Sequence, residues 1–60
     1  MTFQQTIEWA NARGVGQFHV FDRELNYRST WRSYGVACSI ADKLHLVVAN
    51  DSGEIVYRAK

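Results

Sequence analysis

The segment HLVVA-NDSG-EIVYR, residues 45–58, carries the pattern that decides the fold. It begins with the largely apolar run 45–49, continues with the turn-forming residues 50–53, and ends with a segment of alternating side chains, 54–58. Asn, Asp, Ser and Gly favour tight turns because they tolerate or stabilise the backbone angles that a chain reversal requires. The segment therefore predicts a β-hairpin.

An earlier segment is similar to the returning strand of this hairpin. Residues 24–28 read ELNYR, and residues 54–58 read EIVYR thirty positions later. The preceding residues 17–21, QFHVF, are rich in the aromatic and β-branched types that favour strands, and Asp22-Arg23 follows as a turn. We therefore predict a second hairpin here, and two structurally similar halves of the chain.

A helix is predicted before the first hairpin. Thr2-Phe3-Gln4-Gln5 fits the capping box, in which a Thr hydroxyl and a Gln side chain satisfy the free amides at a helix start. Gly14 stands where a left-handed residue commonly ends a helix. These signals predict a first helix over residues 3–13.

A second helix is predicted between the hairpins. Apolar residues recur at steps of three and four from Trp31 to Leu44, which is the spacing of one helical face. Gly35 argues against an unbroken helix, since glycine costs up to about 1 kcal/mol relative to alanine there. We predict a helix over residues 31–44. The alternative extends the preceding strand through Trp31 and begins the helix after Ser33.

The predicted order is helix, hairpin, helix, hairpin (αββαββ) in a single small α+β domain spanning residues 1–60. Such a chain closes economically as two layers, with an antiparallel sheet of three or four strands and both helices packed on one face. Alternation along the strands then separates a buried face from an open one. The expected core residues are Leu25, Tyr27, Ile55 and Tyr57, and the expected open-face residues include Arg28 and Arg58.

The titratable residues form no motif for catalysis or metal binding. His19 and His45 lack the i, i+4 spacing of a helical zinc pair, and Cys38 is the single cysteine. The glycines of Arg13-Gly14-Val15-Gly16 leave a helix, whereas a phosphate-binding loop leads into one. We expect a protein that is not an enzyme, with no catalytic residues, no metal site and no cofactor.

The segment 27–34, YRSTWRSY, is the best candidate for a binding site. It combines flat aromatic surfaces with the multidentate donors of arginine. Tyr, Trp and Arg are enriched at the energetic centres of protein interfaces, and single-stranded nucleic acid is bound by the same types. The alternative is that the aromatic residues belong to the core. The predicted partner-binding residues are Arg23, Arg28, Trp31, Arg32, Tyr34 and Arg58.

The overall charge favours a protein partner over a nucleic acid. The net charge is +1, from seven Lys and Arg against six Asp and Glu, which is too balanced to attract a polyanion through bulk charge. We therefore expect a non-catalytic protein-binding module, an adaptor or inhibitor of the kind encoded by viruses or mobile elements, that occupies a surface on a larger partner. The alternatives are a nucleic-acid-binding domain with an arginine and aromatic patch, and a homo-oligomeric structural protein that pairs through Val36 and Ile40.

Cysteine usage and hydropathy indicate where the chain resides. A single cysteine, Cys38, cannot form an internal disulfide and is typical of a reducing cytoplasm. The longest apolar run, Leu46 to Ala49, is far shorter than the ~20 residues that cross a bilayer. We expect a cytoplasmic protein without a membrane partner.

Overall fold

The structure, a computed structural model, describes residues 2–14 and 16–59. These residues form helices and antiparallel strands in the order α–β–β–α–β–β, which confirms the α+β class. The elements are α1 (Phe3–Arg13), β1 (Phe18–Phe21), β2 (Tyr27–Trp31), α2 (Tyr34–Leu44), β3 (Val47–Ala49) and β4 (Ile55–Arg58).

Helix α1 has the predicted bounds, and the predicted capping box is present. The backbone N–H of Gln5 donates to Thr2 Oγ1 at 3.1 Å, and the backbone N–H of Thr2 donates to Gln5 Oε1 at 3.0 Å. Gly14 ends the helix with φ +61°, and its N–H donates to the Ala10 carbonyl. Both ends of α1 are therefore specified by local sequence.

Helix α2 begins later than residue 31, so the preferred prediction for its start is wrong and the alternative is confirmed. Strand β2 continues through Trp31, which pairs with Phe18 of β1. Ser33 is the N-cap, because its Oγ accepts the backbone N–H of Val36 at 3.4 Å. The serine cap decides the boundary, since it satisfies a free amide that the side chains of Trp31 and Arg32 cannot.

The strands lie in the order β2-β1-β3-β4, and all neighbouring pairs are antiparallel. Each hairpin contributes one central strand and one edge strand, and the hairpins meet where β1 pairs with β3. Val20 and Val48 are direct partners at the middle of this junction. The centre of the sheet is therefore built from contacts between the halves of the chain.

The helices pack on opposite faces of the sheet, so the prediction that both lie on one face is wrong. Val20 and Phe21 are consecutive and fully buried, and consecutive strand residues point to opposite faces. Val20 belongs to a cluster with Ala37 and Ala41 of α2. Phe21 packs instead against Phe3 of α1, with 4.7 Å between the ring centroids. The sheet is thus the middle one of three layers.

The central strands explain this arrangement. Val47, Val48 and Ala49 are all buried, so β3 is apolar on both faces, and each face requires a cover. The connections also differ. Residues 45–46 join α2 to β3, whereas the longer link 14–17 joins α1 to β1. The glycines at both 14 and 16 have positive φ, which lets the backbone turn toward the other face.

The two tyrosines of the repeated segments lie on opposite faces, contrary to prediction. The Tyr27 ring contacts Phe21 edge-on at 6.1 Å, on the α1 face. Tyr57 pairs with Val48 and packs in the cluster under α2. Leu25 and Ile55 were also predicted to be core residues, and this prediction is wrong because both are exposed. Sequence similarity between 24–28 and 54–58 therefore does not mark equivalent positions.

Candidate functional site

The predicted binding residues divide between the two ends of the sheet. Arg28 lies at the beginning of β2, and Arg32 directly follows its last residue, Trp31. Arg28 and Arg32 are four residue steps apart, which separates their Cα atoms by about 13 Å of nearly extended backbone. The six residues therefore form two groups: Arg23, Arg28 and Arg58 at one end, and Trp31, Arg32 and Tyr34 at the other.

In the first group, Arg23 lies between two arginines that belong to opposite edge strands. Arg28 is in β2, and Arg58 ends β4, where it pairs with Val47. Arg23 Nε donates to the His45 carbonyl at 3.3 Å, and a terminal nitrogen donates to the Ala59 carbonyl at 3.4 Å. The structure therefore holds Arg23 in place, whereas Arg28 and Arg58 extend from separate strands.

In the second group, the aromatic residues are exposed and not part of the core. Trp31 is 38% exposed, and its indole N–H donates to Ser29 Oγ at 2.8 Å. The exposed Tyr34 ring contacts Phe18 edge-on at 5.4 Å, and its hydroxyl donates to the Val56 carbonyl at 3.2 Å. Hydrogen bonds thus orient both side chains while leaving much of each ring accessible.

An apolar strip continues from Trp31 along α2. Val36, Ile40 and Leu44 are spaced by four residues and therefore share one flank of the helix. Val36 is 43% exposed, Leu44 is 55% exposed, and Ile40 is half-buried. Three large apolar side chains thus form a partly exposed row along the length of α2.

Contacts on the other flank of α2 fix the direction in which this strip faces. Tyr34 bonds to β4 through Val56, and the Tyr57 hydroxyl of β4 donates to Asp42. The opposite flank therefore faces the edge strand β2, and Leu44 lines a surface depression together with Arg28. We call this surface the α2–β2 flank: Trp31, Val36, Ile40 and Leu44, with Arg28 and Arg32 toward its two ends.

A buried hydrogen-bond network lies on the α1 face, and the sequence analysis did not find it. His19 is fully buried in β1. Its Nδ1 lies 3.1 Å from Thr30 Oγ1, and its Nε2 lies 2.7 Å from Asp51 Oδ1. The Tyr27 hydroxyl lies 2.7 Å from the same Thr30 oxygen. The chain Tyr27–Thr30–His19–Asp51 thus joins β2, β1 and the second hairpin turn.

Asp51 is the anchor of this network. Its Oδ2 also accepts the backbone N–H of Gly16 at 2.7 Å and that of Gln17 at 3.3 Å. Burial raises the pKa of Asp51, but the hydrogen bonds from His19, Gly16 and Gln17 outweigh burial and hold that pKa below its usual value. An ionised carboxylate only accepts, so His19 Nε2–H donates to it. The carboxylate therefore fastens the α1–β1 link to the second hairpin.

The same network has the hydroxyl–imidazole–carboxylate order of hydrolytic triads, here Thr30, His19 and Asp51. A general base, however, must come within hydrogen-bond reach of a substrate proton. The His19 imidazole is enclosed completely, so no substrate contacts it in this conformation. Its geometry is that of a structural support for the sheet.

Metal ligands do not cluster in the described residues. No group of three or more His, Cys, Asp or Glu that would hold a metal ion occurs within 2–14 and 16–59. His19 is buried on the α1 face, whereas His45 is the exposed C-cap of α2, with φ +57°. The structure does not bring the two histidines into one site.

A second polar cluster lies under α2 next to β4. The Tyr57 hydroxyl donates to Asp42 Oδ1, and this hydrogen bond is the main reason that the pKa of Tyr57 rises to about 12. A hydrogen bond with the half-buried Cys38 likewise raises the pKa of Tyr34. These hydrogen bonds attach the β4 side of α2 to the sheet. In the described structure, the α2–β2 flank has no corresponding hydrogen bonds between α2 and β2.

No family model matches this chain, and neither curated proteins nor solved structures include a significant match to it. Among the residues described, no helix has both the length and the apolar character needed to cross a membrane.

Proposed function

We propose that this chain is a non-catalytic protein-binding module, an adaptor or inhibitor that covers a surface on a larger protein. The α2–β2 flank is its binding surface. Proteins of this kind encoded by viruses or mobile elements act by occupying a site on their target, which requires one well-formed contact face. A chain of 60 residues is large enough to provide such a face.

The exposed apolar strip is the observation that carries this proposal. Trp31, Val36 and Leu44 are 38%, 43% and 55% exposed and lie on one side of the molecule. Scattered apolar side chains on a surface are ordinary, but aligned ones are typical of interaction sites. Trp31 adds the residue type that most often contributes binding energy at the centre of an interface.

The arginines determine which partner surface fits. Arg28 and Arg32 lie toward the two ends of the strip, about 13 Å apart along β2. A partner with an apolar centre and carboxylates at a matching separation would satisfy both. Rim charges of this kind contribute mainly to association rate and specificity.

The arrangement of the arginines gives less support to nucleic-acid binding. Arg28, Arg32 and Arg58 do not form one continuous patch, because Arg32 is at the far end of β2 and Arg58 is on the other edge strand. Homo-oligomerisation through Val36 and Ile40 would use the same strip as the proposed partner. The partner would meet the module in the cytoplasm, a compartment in which the free thiol of Cys38 stays reduced.

Affinity capture with paired baits tests this proposal. The wild-type chain, a Val36→Gln/Leu44→Gln double variant and a Trp9→Gln control are each immobilised and exposed to cell lysate. Trp9 is an exposed aromatic residue on α1, so its replacement removes apolar surface away from the flank. We expect a protein that is retained by the wild type and the Trp9 variant but lost by the double variant.

Purified components then quantify the effect. Removal of two apolar contacts should weaken binding of the captured protein at least tenfold by calorimetry, while the Trp9 variant stays within about twofold. If every captured protein binds all three baits equally, the proposal is contradicted. Sedimentation of the wild type alone shows whether the strip binds a second copy of this chain instead of another protein. Recovery of nucleic acid that salt releases from the bait would favour the nucleic-acid alternative.

A further inference from the structure

A second depression of about 280 Å³ lies at the Arg23 end of the sheet, and Arg23 separates it from the depression that Leu44 and Arg28 line. It is lined by Arg23, Leu25, Val47 and Arg58. Arg58 pairs with Val47, so both point to the α1 face of the sheet. Two guanidinium groups and two aliphatic side chains thus line the same depression.

No carboxylate lines this depression. Arg23 also borders the neighbouring depression, which Arg28, Asp22 and Glu24 line, whereas Arg58 borders only this one. Among the described residues, no carboxylate lies within 4.0 Å of the Arg23 or Arg58 guanidinium nitrogens. The arginines at 23 and 58 therefore have no anionic partner among the described residues.

Arg23 is oriented before any ligand arrives. Its Nε and one terminal nitrogen bond to the carbonyls of His45 and Ala59, which come from different elements. The remaining guanidinium protons stay available, because arginine has five donors. A preorganised guanidinium loses less conformational entropy when it binds a carboxylate.

Leu25 is the second unusual feature of the lining. It is 40% exposed and has φ +66°, a left-handed conformation that is unfavourable for a side chain with a Cβ. Strained residues of this kind cluster at ligand-binding sites. Here the strained turn holds an isobutyl group beside two guanidinium groups, with Val47 as the other apolar wall.

We propose that this depression binds a carboxylate carried on an apolar group, with Arg23 and Arg58 contacting the carboxylate and Leu25 and Val47 contacting the apolar part. Guanidinium groups match the planar, two-oxygen geometry of carboxylates. The same chemistry occurs in free acyl amino acids and at the C-terminus of a peptide that ends in an apolar residue. This site does not rest on the proposed function, since it shares no residue with the α2–β2 flank.

The probe is N-acetyl-leucine, titrated into ¹⁵N,¹³C-labelled protein and followed by NMR. We expect saturable shifts of the Arg23 and Arg58 side-chain N–H signals and of the Leu25 and Val47 methyl signals. N-acetyl-leucinamide, which lacks the carboxylate, and acetate, which lacks the apolar group, should each bind at least tenfold more weakly. A peptide that ends in leucine, with a free or an amidated C-terminus, then distinguishes the two sources.

Variants separate binding from folding. Arg58→Gln should weaken N-acetyl-leucine binding at least tenfold, and Leu25→Gly should weaken it severalfold although glycine suits the backbone at this position. Arg13→Gln, in the last turn of α1 and outside both proposed surfaces, should leave binding unchanged. The proposal is overturned if acetate or chloride shifts the same signals with equal affinity, or if Arg58→Gln has no effect in a folded protein.

Discussion

Leu25 and Gly53 occupy equivalent positions in the two hairpin turns, and both have positive φ, +66° and +85°. The turns share the same hydrogen bonds: Leu25 N–H donates to the Asp22 carbonyl, and Gly53 N–H donates to the Asn50 carbonyl. The side chain of Asp22 or Asn50 accepts further backbone N–H groups within its own turn. The hairpins therefore repeat with an offset of 28 residues, as from Leu25 to Gly53.

The first prediction follows from this equivalence. Leu25→Gly should stabilise the protein by about 1 kcal/mol, because glycine relieves the left-handed strain of a residue that is exposed. Urea denaturation at neutral pH measures the change.

The opposite change, from glycine to a residue with a Cβ, can be made at Gly53 in the second hairpin turn. Gly53→Ala should destabilise, since it adds the same strain and a Cβ that would lie 3.1 Å from Ile7 Cγ2. Equal stabilities for wild type and Leu25→Gly would mean that the first turn is not strained.

The buried network provides the second prediction. Asp51→Asn should lower the free energy of unfolding by about 2 kcal/mol, because His19 loses its charged acceptor and the amides of residues 16 and 17 lose a strong one. Glu54→Gln changes an exposed carboxylate in the same hairpin and should alter stability by no more than about 0.5 kcal/mol. Chemical denaturation of the three proteins tests this, and a similar loss in both variants would exclude a specific role for Asp51.

The third prediction concerns acid stability. The pKa of Asp51 is lower in the folded protein than in the unfolded chain, so its contribution to stability is present above the unfolded value of about 3.8. That contribution is lost as the pH falls through the lower, folded value. Urea midpoints measured from pH 7 to pH 2 should therefore decline below about pH 4 and decline less in Asp51→Asn. Asp22, whose pKa is lowered mainly by the backbone N–H of Asn26, accounts for part of the remaining decline.

The fourth prediction concerns alkaline titration. The pKa of Tyr57 is raised to about 12, so this tyrosine should ionise later than an ordinary one when absorbance near 295 nm follows the pH. Its contribution to stability is present below the unfolded value of about 10 and lost as the pH rises through about 12. Tyr34 also ionises late, because a hydrogen bond with Cys38 raises its pKa. Asp42→Asn should move the Tyr57 ionisation toward 10, and Tyr57→Phe should reduce the late absorbance change to that of Tyr34. An unchanged late absorbance change in Tyr57→Phe would contradict the assignment to Tyr57.

Local signals predicted much of the secondary structure. Signals that act over a few residues made the ends of these elements predictable. They are the capping box of Thr2, the glycine at position 14 and the turn residues 50–53. The face covered by each helix depends instead on the link between helix and strand and on the apolar character of both faces of β3. The similarity of ELNYR and EIVYR also led to a wrong prediction, because its offset of thirty exceeds the structural offset by two residues. Tyr27 corresponds to Ile55, and a bulge at Val56, between the positions that pair with Ala49 and Val48, puts Tyr57 on the other face.

The candidate surfaces were predictable only in part. The sequence predicts Val36 and Ile40 as a contact with another chain, but it assigns Leu44, at the next step of four, to the apolar face of the helix. The pairing of His19 with Asp51 had no such signal, since the residues are 32 positions apart and meet through strand register. Arg23 and Arg58 likewise converge only after the sheet has formed.

The junction of β1 with β3 has a consequence for synthesis on the ribosome. When the first hairpin leaves the ribosome, β1 still has a bare edge and one uncovered apolar face, because α2 and β3 have not yet emerged. An isolated two-stranded hairpin is marginal at best in water, and α1 covers only one of the two apolar faces. We therefore expect native structure to form late, after β3 is available, with Val20 and its neighbours exposed to solvent on the nascent chain until then.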